Sequence, residues 1–200
     1  MYYIIKTFVY LLLFLSIIVL SCSTSKNKSY PSYVVGEKKF ERIFVNKDSL
    51  HIVTPSIELY NTSSESKADY PKRNQLQTSI LERLKTELNN SEVHELELMS
   101  KDYLTVNKVL EGISFEKQNN PNLIITAPNE ILIPNIKYSV LVRVFGYYGK
   151  TEKSILYITL INNKDKLIES VDRYDFNYSP LNNDLIDNQI KKALTKIIKT

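Results

Sequence analysis

Cysteine, histidine, glycine and tryptophan are scarce in this chain of 200 residues: one Cys, two His, four Gly and no Trp. A single cysteine excludes an intramolecular disulfide framework and any multi-cysteine metal site. Two histidines without a CxxC pair leave little to ligate zinc. Four glycines exclude most glycine-rich phosphate loops. Neither GxSxG nor HExxH occurs. Charge of one sign is lacking too. The 26 Lys+Arg stand against 22 Asp+Glu, which does not suit a dedicated nucleic-acid binder. What remains is ordinary: 43% hydrophobic and 24% charged residues, in a length that fits one domain plus a tail.

The N-terminus departs from that ordinary background. Phe8–Leu20 is apolar apart from Ser16, and Lys6 with the free amino terminus makes a short positive region before it. The run is the length of a secretory signal core and short for a membrane span, which needs about 20 apolar residues. It stops at Val19-Leu20-Ser21-Cys22. This resembles a bacterial lipobox: an aliphatic residue three before the cysteine, a small residue just before it, then the cysteine. Leu20 departs from the pattern, since a small residue is commoner there. The resemblance implies residues 1–21 as a signal peptide and Cys22 as the lipid attachment site, cleaved to become the new N-terminus and acylated. Two or three acyl chains anchor stably where one does not. Ser23 after the cysteine resembles lipoproteins sent to the outer membrane, and no acidic cluster follows it, which points to the periplasmic side.

Residues 22–36 are polar and rich in Ser, Lys and Asn, and read as a flexible tether with a mean reach of roughly 20 Å. Residues 37–200 read as a single domain. Phe40–Val45 has the pattern of a strand, and Leu50–Tyr60 of a second, bent at Pro55. Pro71 opens a helix with Leu76, Ile80, Leu81, Leu84 and Leu88 on one face. Val93–Met99 is a short strand. A weaker helix follows with Val106, Val109, Leu110 and Ile113, and Gly112 costs it about 1 kcal/mol. Leu123-Ile124-Ile125 reads as a strand at the centre of the sheet. Tyr138–Tyr147, Ser154–Ile161 and Leu167–Tyr178 alternate with period two and predict an antiparallel meander. The last of these places Ile168, Tyr174, Phe176 and Tyr178 on one face. Asn183–Lys199 closes the chain as a helix with acids first and lysines last, matching its dipole. The fold class is therefore α/β (α+β): a mixed sheet built as β-α-β-α-β, a three-stranded meander and a C-terminal helix.

That order resembles the envelope-lipoprotein domains of the curli-secretion-channel, penicillin-binding-protein-activator and TolB N-terminal types. Ile57-Glu-Leu-Tyr-Asn61, Pro121-Asn-Leu-Ile-Ile125 and Tyr138-Ser-Val-Leu-Val142 carry the likeness. It implies a fold and a cellular setting, and transfers no functional residue beyond Cys22.

Candidate chemistry is thin. Glu92, Glu95 and Glu97 gather around one strand, and Glu169, Asp172 and Asp175 around another, with Arg173 between. Acid–base work would need such carboxylates to converge with His51 or His94 in one cleft; solvated strand faces and surface pairs explain them more simply. The late lysines could meet anionic lipid. Tyr147-Tyr148, at a strand end, is the most exposed-looking aromatic pair. No catalytic residue, cofactor or metal is implied. The expectation is a non-enzymatic, membrane-anchored accessory or assembly factor that binds another cell-envelope protein. The alternative is a lipid- or glycan-binding lipoprotein, which would need an aromatic or apolar cavity.

Overall fold

The structure is a computed structural model that describes residues 31–63, 70–89, 92–94 and 100–198. The signal segment and Cys22 lie outside the described residues, as do Glu95, Glu97, Lys199 and the side chain of His94. The unit that begins at Ser32 is considered by itself.

Strand β1 (Val34–Glu37) is followed by β2 (Leu50–Asn61), helix α1 (Tyr70–Leu88), β3 (Val93–His94) and helix α2 (Ser100–Asn119). Then come β4 (Leu123–Thr126), β5 (Tyr138–Tyr148), β6 (Lys153–Asn162), β7 (Leu167–Phe176) and helix α3 (Asn183–Leu194). The strands form one mixed sheet in the order β1-β4-β7-β6-β5-β2-β3. β2 runs parallel to β3 and β5, and the remaining pairings are antiparallel. The α+β class and the β5-β6-β7 meander are as the sequence predicts.

The sheet separates two cores. On one face, Leu76, Ile80, Leu84 and Leu88 of α1 and Ile186, Ile190, Ala193 and Leu194 of α3 pack on Ile52, Ile57, Val140, Val142, Val144, Leu156 and Ile158. The four-residue spacing in α1 puts its apolar side chains on one stripe, and Arg83–Glu87 pair at 2.8 Å on its polar side. On the other face, Val106, Leu110 and Ile113 of α2 pack on Val53, Leu123, Ile125, Leu141, Ile161 and Ile168. Each such side chain, taken from water to full burial, contributes about 1.5–3 kcal/mol.

Five expectations change. The tether does not run to Gly36, because Val34–Glu37 is an edge strand bonded to β4. Phe40–Val45 is not a strand. Its backbone donors go elsewhere: Lys38 N to Asn122 O, Phe40 N to Asn122 Oδ1, and Val45 N to Ile197 O. β4 lies next to the sheet edge rather than at its centre; α2 buries its Leu123 and Ile125 on one face, while Ile124 is only partly covered. In β7 a bulge shifts the register between Ile168 and Ser170, so Ile168 faces α2 while Tyr174 and Phe176 face α3. Helix α3 stops at Leu194; the backbone then turns so that Ile198 bridges Val45. The bend expected at Pro55 is present, as a register shift between Val53 and Ser56.

Gly112 has a use that composition alone does not show. A Cβ there would sit 2.7 Å from the hydroxyl oxygen of Tyr33. The missing side chain lets the segment before β1 lie against α2, and Tyr33 O accepts from Thr126 N at 2.9 Å. Burial, with the nearby Glu116 carboxylate, raises the Tyr33 phenol above its ordinary pKa.

Candidate functional site

Helix α2 covers only part of its face of the sheet. It reaches Leu141 of β5, which is fully buried. Two residues on, and on the same face because strand side chains alternate, stands Arg143, and two further Phe145, then Tyr147. In the neighbouring strands, Ser56, Glu58 and Tyr60 of β2 lie opposite Arg143, Phe145 and Tyr147. Tyr157, Ile155 and Lys153 of β6 flank the same three residues on the other side, and Arg173 and Asp175 of β7 lie beyond them.

The result is a surface of rings and guanidiniums. Tyr60, Phe145 and Tyr147 form a three-ring cluster with centroids 5.3–5.6 Å apart, the Phe145–Tyr147 pair edge to face. All three rings are half-buried. Tyr157 is 6% exposed and lies between two cations, with the Arg143 guanidinium 5.4 Å and the Arg173 guanidinium 5.7 Å from its ring centroid. Arg143 is 5% exposed, and its Nη2 lies 3.7 Å from Glu58 Oε1. Arg173 donates two hydrogen bonds to Asp175, at 2.8 and 2.6 Å. Those bonds hold the Arg173 guanidinium above its ordinary pKa. Burial raises the Glu58 carboxyl despite Arg143, with Glu111 of α2 adding to the rise. The Tyr157 phenol is raised by burial as well. The Arg173 guanidinium therefore keeps its charge and the Tyr157 phenol stays neutral at any physiological pH.

Among the described residues, those considered for catalysis do not converge. His51 Nδ1 lies 3.5 Å from Glu92 Oε2 at the β2–β3 edge. Asp172 and Asp175 sit three strands away on β7, about 14 Å across the sheet, and on opposite faces of that strand. Asp172 meets Arg42 and Lys196 at 3.5 and 3.6 Å. Glu169 accepts from Asn162 at 2.8 Å. Among the described residues no group of three or more His, Cys, Asp or Glu is placed to hold a metal ion. Of the late lysines, Lys196 donates to Tyr174 Oη at 2.9 Å and is thereby tied to the fold. The Tyr147-Tyr148 pair divides: Tyr147 joins the ring cluster, whereas Tyr148 is 5% exposed in the opposite core. Arg143 was missed as a site residue. Its signal was a lone guanidinium inside the apolar run Val140-Leu-Val-Arg-Val-Phe145.

No protein-family model and no curated protein matches the chain. Among solved structures it is similar to the PelC dodecamer from Paraburkholderia phytofirmans, with a TM-score of 0.39, 10% identity, and 82% of this chain and 100% of that one covered. It is also similar to lipoprotein GNA1162 from Neisseria meningitidis, with a TM-score of 0.34, 11% identity, and 74% and 95% covered. The C-terminal domain of LpoB from Salmonella enterica gives a TM-score of 0.30 at 11% identity, with 66% and 84% covered. One of these neighbours, GNA1162, is a lipoprotein by name, and at such values none carries an argument about this chain's activity or partners. No helix among the described residues is long and apolar enough to cross a membrane.

Proposed function

We propose that this chain is an outer-membrane lipoprotein, anchored through Cys22 and facing the periplasm, that acts without catalysis as an accessory or assembly factor for another envelope protein. The observation that carries the reading is the ring-and-guanidinium surface on the part of the sheet that α2 leaves open. Tyrosine and arginine are the side chains most enriched where protein partners bind tightly, because they bring large, stiff contact area with a polar end. Here three half-buried rings and the exposed Arg173 are ordered by each other and by the buried Arg143 and Tyr157 beneath them. A partner docking on them has little side-chain freedom left to freeze. The mixed signs at the margin, Glu58 and Asp175 against Arg173 and Lys153, suit a protein surface rather than a polyanion.

The two clefts found among the described residues give no support to a lipid- or glycan-binding role. The clefts, of about 160 and 200 Å³, are lined by no tyrosine. They are smaller than the roughly 300–1,000 Å³ that an organic ligand of ordinary size occupies.

The test is site-specific photocrosslinking in cells that make the full chain. A photoreactive residue at Tyr147 or Tyr60 should trap one discrete envelope protein; the same residue at the exposed turn position Lys164 should not. Arg173→Glu should abolish the adduct, and Cys22→Ala should abolish it by removing the anchor. Equal labelling from Lys164, or no adduct from either tyrosine position, rejects the reading.

A further inference from the structure

The buried cation at the C-terminal end of α2 has no part in that surface. Lys117 is 5% exposed. Its Nζ donates to Leu123 O at 2.7 Å. No other hydrogen bond to this ammonium exists among the described residues; its remaining near contact is the Phe40 ring, 5.9 Å from Nζ to the centroid. Lys117 lines a cleft of about 200 Å³ together with Phe40, Arg42, Gln118, Pro121, Ser170 and Val171. Both charged lining residues are cations. The carboxylates lie behind them: Asp172 is shared between Arg42 and Lys196, and Glu169 between Lys38 and Asn162. Four cations, Lys38, Arg42, Lys117 and Lys196, thus surround two carboxylates.

A buried ammonium with one hydrogen bond is costly to keep charged. Desolvation lowers its pKa to about 8, against the Glu169 carboxylate, which raises it, and with Lys38, which lowers it further. An anion in the cleft would offer acceptors to Lys117, to the Arg42 guanidinium and to the Ser170 hydroxyl and Gln118 amide at once. Phosphate is the oxyanion that Arg and Lys bind best in this combination, one as a fork and one as a point charge. The cleft is large enough for a phosphate group and too small for what the phosphate is attached to, so the rest of a bound ester must lie outside it.

We infer that the cleft between α2, the Phe40–Arg42 segment and β7 is a binding site for a phosphate monoester, held by Lys117 and Arg42. The same chemistry is offered by free phosphate and by the headgroup of a phosphatidic acid.

The test is calorimetric titration of the full chain in neutral detergent with inorganic phosphate and, separately, with dihexanoyl phosphatidic acid. Arg42→Gln, at a partly exposed position that leaves the cores intact, should weaken binding about tenfold or more. Lys117→Met, of similar length and apolar, should do the same. A native-like unfolding transition for Arg42→Gln keeps the inference testable if Lys117→Met fails to fold. Binding to the unaltered chain should weaken about twentyfold between pH 7.5 and 9.5 as Lys117 loses its proton. That fall should persist in Arg42→Gln and vanish in Lys117→Met. Tighter binding of the lipid than of phosphate identifies the headgroup as the source; equal binding identifies free phosphate. No binding of either at 10 mM, or binding indifferent to both substitutions, overturns the inference.

Discussion

The two faces of the sheet solve the same burial problem differently. On the α1–α3 face the core is almost wholly aliphatic, and two helices close it from end to end. On the α2 face one helix covers part of the sheet, and buried polar groups run through the core beneath and beside it: Ser139, Arg143 and Thr159 from the strands, Asn107, Ser114 and Lys117 from the helix. Ser56 donates to Asn107 at 2.9 Å and Ser114 to Leu110 O at 2.6 Å, so both serine hydroxyls are satisfied locally. Buried polar groups add little stability compared with apolar ones of the same shape. The closed face therefore supplies stability, and the open face carries the ring cluster and the cationic cleft. A chain needs only one face packed for density; the other is available to depart from it.

The largest effect should come from breaking the closed face. Leu84 is 0% exposed in the middle of the α1 stripe. Leu84→Ala should cost about 2–5 kcal/mol in urea unfolding. A loss under about 1 kcal/mol would mean that this face is not the stabilising one.

Lys117 sharpens the contrast through pH. Its folded-state pKa of about 8 lies below that of a lysine in the unfolded chain. Between about pH 8 and 10 the native state has released this proton while the unfolded state keeps it. The unfolded state then binds more protons, and stability rises with pH. The full rise from this group is on the order of 3 kcal/mol. Above about pH 10 the phenols of Tyr33, Tyr157 and Tyr178, all raised by desolvation, work in the opposite sense. The informative quantity is therefore the difference between the unaltered chain and Lys117→Met. That difference should climb from pH 8 to 10; a flat difference would show that the amine is well solvated.

Gly146 tests how tightly the closed face is packed at its end. A Cβ there would lie 2.7 Å from Pro180 Cγ and 2.9 Å from Lys153 O. The carbonyl belongs to a sheet partner and cannot move freely. Gly146→Ala should cost about 1–3 kcal/mol, read as a lowered urea midpoint at unchanged slope.

Much of this division was legible in the sequence. The stripes of α1 and α3 and the alternation of β5 show one face plainly, because periodicity reports burial wherever a face is continuous. The failures share a physical cause. In β7 the alternation is read through the bulge at Glu169, and one extra residue reverses every assignment before it. β1 is short and lies within polar sequence, so it carries no period of its own. Phe40–Val45 alternates as a strand does, yet its donors are taken by Asn122 and Ile197, partners that only the tertiary fold supplies. Of the candidate surface, Tyr147 was visible as a strand-end ring. Its partners Tyr60, Tyr157 and Arg173 come from three other strands, and no local pattern brings them together.

The smallest effect on stability should accompany the largest on binding. Tyr147 is half-buried at the open margin, and its edge-to-face contact with Phe145 is worth about 0.5–1.5 kcal/mol beyond area. Tyr147→Ala should therefore lower stability by about 1 kcal/mol, well short of Leu84→Ala, while removing the crosslinked partner from a reporter placed at Tyr60. Asp175→Asn adds a finer probe. It weakens the two bonds that hold the Arg173 guanidinium, at an exposed site where the pair contributes under about 1 kcal/mol. If the ordered guanidinium matters to the partner, crosslinking falls with stability unchanged. If crosslinking survives both substitutions, the open face is merely less covered, and the contrast between the two faces is one of packing alone.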